Sequence, residues 1–120
     1  MKRDMDLVRR ILLAIEGGEH GVAPQPLLID GYTDEQIGYH VYIMIQGGLL
    51  EGSVVSMMEG PSPEAIASSM TWAGHEFIES ARDEKRWKEA RGLLEKVGGA
   101  AISVWSNVLS HLVLKNLGLP

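Results

Sequence analysis

Residues 33–52 read TDEQIGYHVYIMIQGGLLEG. Thr33 followed by Gln36 forms a capping box, and Asp34 and Glu35 fall in the first helical turn, where the helix dipole favours negative charge. Ile37, Val41, Met44 and Ile45 make one buried stripe, Gly47–Gly48 ends the helix, and Leu49 opens a strand. A capped helix, a glycine stop and a strand form the middle of a winged-helix arrangement, whose helix at this place often enters the major groove of DNA. This helix has no Lys or Arg.

Working outward from it, Leu49–Met57 is rich in Val and Leu and reads as a strand. EGPSP (59–63) is turn chemistry, and Ala65–Met70 completes a hairpin. Upstream, MKRDMDLVRRILLAIEGG predicts a helix from Asp4 to Glu16, with Val8, Ile11, Leu12 and Ile15 inward and Leu7 widening the stripe. EHGVAPQP (19–26) is a loop, since Pro24 and Pro26 cannot sit inside a helix, and Leu27–Ile29 is read as a brief strand. Downstream, Thr71 caps TWAGHEFIESAR, with Trp72, Phe77, Ile78 and Ala81 directed to the core. Asp83 caps a helix through Lys96, with Trp87, Ala90, Leu94 and Val97 inward, and a last helix spans 101–117. The expected fold is α+β and mainly helical. Residues 1–83 form a winged-helix-like domain with a small β-hairpin wing, and residues 84–120 a two-helix C-terminal extension.

The 120 residues bury roughly two-thirds of their unfolded surface, enough for one core without staples. No cysteine is present, which excludes disulfides and thiolate chemistry and fits a reducing cytoplasm. Asp4, Asp6, Arg9 and Arg10 interrupt the N-terminal apolar run, so it reads as an amphipathic helix and not as a secretory leader. No apolar run has the length of a membrane span, so no membrane partner is expected. A net charge of −5 argues against a general polyanion binder, because that affinity comes from neutralised phosphates.

Three segments, MKRDMDLVRRIL, YTDEQIGYHVYIMIQGGLLEG and MTWAGHEFIESARDEKRWKEA, together resemble a family of short bacterial and prophage-borne proteins classed as a domain of unknown function. The T-W-x-G-H-x-F block (Thr71, Trp72, Gly74, His75, Phe77) is its most specific part, and the resemblance runs over residues 1–90. It implies a winged-helix-like fold and a phage-linked setting, and it carries no catalytic residues. The apolar C-terminus departs from those relatives, whose ends look more Lys-rich.

Two function classes follow. On the capped helix, Gln36, Tyr39, His40 and Ile43 form the expected outward face. Gln36 can read adenine, and Tyr39 or His40 can touch phosphates. Basic support would come from Lys2, Arg3, Arg9 and Arg10, or from Arg82, Lys85, Arg86 and Lys88. Against this, Asp34 and Glu35 oppose a phosphate backbone and the wing tip MMEGPSPEA is acidic. The same face suits a protein partner, since aromatic residues are enriched in interface cores. Alternatively, Tyr39 or Ile43 packs under the loop over 23–28.

His20, His40, His75 and His111 have no i, i+3 or i, i+4 pairing, and no nucleophile elbow or phosphate loop is present. Neither a metal, a cofactor nor an enzymatic activity is therefore expected. His75 is read as a partly buried residue bonding backbone at the wing base. In the last helix, Ile102, Trp105, Leu109, Leu112 and Val113 share one face, broadened by Val104, Val108 and Leu117. A helix apolar over so much of its circumference wants burial on more than one side, either within the chain or across a homodimer. The dimer is the expectation.

Overall fold

Asp4 opens the first helix, α1 (Met5–Glu16), in the computed structural model, which describes residues 1–56 and 62–120. The Asp4 carboxylate accepts from the amides of Asp6 (2.9 Å) and Leu7 (3.3 Å), satisfying two N–H groups that the helix cannot satisfy itself. Leu7, Val8, Ile11, Leu12 and Ile15 are all buried, as their spacing predicts. Burying each of these side chains stabilises the fold by about 1.5–3 kcal/mol.

The capping box forms on α2 (Asp34–Gln46), and Gly47 and Gly48 end this helix, Gly48 at a φ of 81°. α1 packs on α2, and α2 lies along the hairpin of β1 (Leu50–Ser56) and β2 (Glu64–Met70). The strands are antiparallel, running from Leu50 opposite Met70 to Ser56 opposite Glu64, with irregularities after Glu51 and after Val54. Gly52 permits the close approach: a Cβ there would strike the Ile66 carbonyl and sit 2.9 Å from Ile45 Cδ1 on α2. The tip residues 57–61, including the expected strand end at Met57, lie outside the described residues.

The brief strand is not at Leu27–Ile29. It is upstream, where Val22 bridges Ser69 and the Ala23 amide donates to the Ser68 carbonyl at 2.9 Å. Pro24 and Pro26 explain the difference. They remove two of the next three backbone donors, so the pairing uses the last unbroken backbone before them. Ser69 also pairs with Glu51, so β2 lies between Val22 and β1.

The chain continues through α3 (Trp72–Ala81), α4 (Glu84–Leu94) with a 3-10 turn at Glu95–Val97, and α5 (Ile102–Asn116). It divides into two compact units, Met1–Glu76 and Phe77–Pro120, the division falling inside α3 and not after it. In the second unit Phe77 meets Trp87 edge-on (6.3 Å), and Trp87 stacks on Trp105 (4.4 Å, 22°). Trp105, Leu109 and Leu112 are buried in the chain itself. The stripe expected to meet a second copy is therefore used mainly in packing α5 on α4. Ile102 and Val113 are half-buried. Val97, expected inward, is 65% exposed, because the longer rise of a 3-10 turn carries it past the last packed turn at Leu94.

Candidate interaction face on the second helix

Two flanks of α2 are occupied. The space beside Gly38 is filled by the Glu64 side chain of β2, where an added Cβ would lie 3.1 Å from Glu64 Cγ. Ile37, Val41 and Met44 point into the core. Tyr39, Tyr42, Ile43 and Gln46 remain on the outer side, the first three half-buried. The Tyr39 and Tyr42 rings lie 6.5 Å apart, tilted by 33°, and Gln46 Nε2 donates to the Tyr42 hydroxyl at 3.1 Å. Tyr42 was not among the residues expected on this face, although it lies three positions from Tyr39. Gln36 is not free to read a base bidentately, since its Oε1 accepts from the Thr33 backbone N–H at 2.9 Å; the Gln36 backbone N–H in turn donates to Thr33 Oγ1.

His40 is not on the outward face. It is 2% exposed, and both ring nitrogens are bonded. Nδ1 donates to the Gln36 carbonyl (2.8 Å) and Nε2 accepts from the Asp4 amide (2.8 Å), which fixes the neutral ring with its proton on Nδ1. The spacing contains the reason: residue 40 lies three after Ile37 and four before Met44, on the buried stripe itself. A histidine can occupy it because the start of α1 brings a donor to the ring.

Asp4 thus joins α1 to α2, and its other carboxylate oxygen accepts from the Tyr32 hydroxyl at 3.1 Å. Burial, reinforced by the hydrogen bond and charge of Asp4, raises the Tyr32 phenol above its ordinary 10.0. Arg10 opposes that shift from above the Tyr32 ring, its guanidinium 5.9 Å from the centroid. Arg10 also donates to the Asp30 carbonyl at 2.9 Å.

The expected phosphate contacts fall in different units. Arg9, half-buried, and Arg10 belong to Met1–Glu76, whereas Arg82, Lys85, Arg86 and Lys88 belong to Phe77–Pro120. Arg82 forks onto Glu79 with two bonds of 3.1 Å, and Lys88 lies 3.4 Å from Glu84. Arg86 donates to the Ser80 carbonyl at 3.2 Å, and Lys85 is exposed. Eleven acidic and four basic residues give the first unit a formal charge of −7. Five acidic and seven basic residues give the second +2. The body that carries α2 is thus strongly acidic.

The T-W-x-G-H-x-F block divides by role. Thr71 donates to the Gly48 carbonyl and accepts from the Gly74 amide, tying α3 to the end of α2. A Cβ on Gly74 would strike the Leu49 carbonyl, and Phe77 is buried. Trp72 and His75, both expected to be at least partly buried, are exposed, Trp72 by 80%. Counting back from Phe77, Ile78 and Ala81 by three, four and seven converges on Gly74, and the buried stripe 74, 77, 78, 81 passes through neither Trp72 nor His75. The position of Trp72 directly after Thr71 holds it at the C-terminal end of α2.

Among the described residues no group of three or more His, Asp or Glu side chains is placed to hold a metal ion. No described helix is long and apolar enough to cross a membrane. A family model described as hypothetical protein DUF2513 matches residues 2–101. A Haemophilus influenzae protein described as an uncharacterized protein is 35% identical over 94 residues, covering 76% of each chain. No solved structure matches the chain. The family match ends at residue 101, and α5 begins at the next.

Proposed function

We propose, from the premise that this chain belongs to the DUF2513 family of hypothetical proteins, that it is a small regulatory or interaction module working through protein contacts. It is non-enzymatic, of phage or mobile-element type, and cytoplasmic in this reading. The order helix, bridge, helix, hairpin, with β2 between Val22 and β1, supports a winged-helix-like first unit. In that frame α2 takes the place of a recognition helix. The observation that carries the reading is its outer side: Tyr39, Tyr42 and Ile43, with no Lys or Arg along the helix, on a unit of charge −7.

The test is a cross-linked pull-down with Tyr39→Ala and Ile43→Ser combined. Loss of the captured partner supports the reading, and unchanged capture removes this face from it. Self-association is part of the proposal. Its support is the exposed apolar residues Val104, Leu114 and Leu117 on and after α5, not the stacked Trp105. Val104→Glu with Leu117→Glu is expected to halve the mass in light scattering, and an unchanged mass removes the dimer. The second reading, a dimeric DNA-binding regulator, is favoured by the winged order itself and would use the basic side chains of α4.

A further inference from the structure

We infer that the outer side of α2, continued by Trp72, docks an arginine-bearing basic segment of a partner protein; the inference rests on the protein-binding reading above. Two of the three outward aromatic residues, half-buried Tyr39 and exposed Trp72, form stations with a carboxylate one helical turn away. Glu35 lies four residues before Tyr39 on α2, and Glu76 lies four residues after Trp72 on α3. Residues four apart on a helix are neighbours. A guanidinium can therefore stack on the ring while its N–H fork engages the carboxylate, which is how arginine differs from lysine as a partner.

Glu35 is held in place, since the Ser62 hydroxyl donates to its Oε1 at 3.4 Å. The chain itself already places an arginine on a tyrosine: Arg10 sits over the Tyr32 ring while its guanidinium donates to the Asp30 carbonyl. Charge selects the occupant. A unit of −7 attracts a basic segment from a distance and repels a phosphate backbone.

The probes are nona-arginine, nona-lysine of equal charge, and a short DNA duplex. Each carries a fluorescent label, and the full chain is titrated into it while the anisotropy of the label is followed. Nona-arginine is expected to bind more tightly than nona-lysine, and Trp72→Ala or Tyr39→Ala to weaken it by about tenfold. Glu19→Gln, an exposed acid of the same unit outside these stations, is expected to change it by less than about twofold. Because Trp72 is exposed, its alanine variant folds, and Tyr39→Phe is expected to retain binding.

Equal affinity for both peptides with no effect of Trp72→Ala overturns the inference, leaving only attraction to net charge. Failure of nona-arginine to bind overturns it as well. If the Tyr39→Ala, Ile43→Ser chain still loses its partner in the pull-down, the protein-binding reading survives that failure. Duplex DNA binding more tightly than nona-arginine overturns both.

Discussion

His40 is the residue where polarity and periodicity pointed in opposite directions. Its place on the Ile37–Met44 stripe was legible, but the donor to its Nε2 was not, because the Asp4 amide is 36 residues away in sequence. His40→Ala removes a buried ring and leaves the part-buried Asp4 amide without its acceptor, so it is expected to cost about 2–4 kcal/mol by denaturant unfolding. Tyr39→Ala, on the outer side of the same helix, is expected to cost clearly less. Tyr32 makes the same joint sensitive to alkali. Its folded-state titration is raised above 10.0, so the unfolded chain releases that proton first. Stability from this group is full below pH 10 and is lost as pH rises above it. Tyr32→Phe is expected to flatten the alkaline decline in melting temperature, and an unchanged decline would show that other groups cause it.

The elements themselves were the most legible part. Asp4, Thr33 and Asp83 cap α1, α2 and α4 because a short polar side chain before an apolar stripe has one favourable use. The sequence hid what depends on distant backbone. The brief pairing at Val22 requires β2 to lie alongside, and Leu27–Ile29 had the more strand-like composition. The T-W-x-G-H-x-F block was legible as a unit but not in its division of labour. Gly74→Ala would press against the Leu49 carbonyl and is expected to destabilise the chain by about 1–3 kcal/mol. Trp72→Ala is expected to change stability by less than about 0.5 kcal/mol. Comparable losses in the two variants would mean that Trp72 is structural.

For the whole molecule, charge was visible only as a total until the units were known. The net −5 divides into an acidic helix–hairpin unit and a mildly basic helical unit. The dimer expectation drew on an apolar helix whose central stripe, Trp105, Leu109 and Leu112, is buried within the second unit. Amphipathicity reports that a face is covered but not by which chain. The role of residues 33–52 likewise turns on the partner: the helix is built as expected, and its outer side carries rings and an amide where a base reader most often carries cations.

The most direct test of that central claim is a mobility-shift titration of the full chain with duplex DNA at about 50 mM salt, where phosphate contacts are strong. The account predicts no discrete complex at micromolar protein. A shifted band that weakens as salt rises and disappears with Arg82→Ala and Lys88→Ala would contradict it.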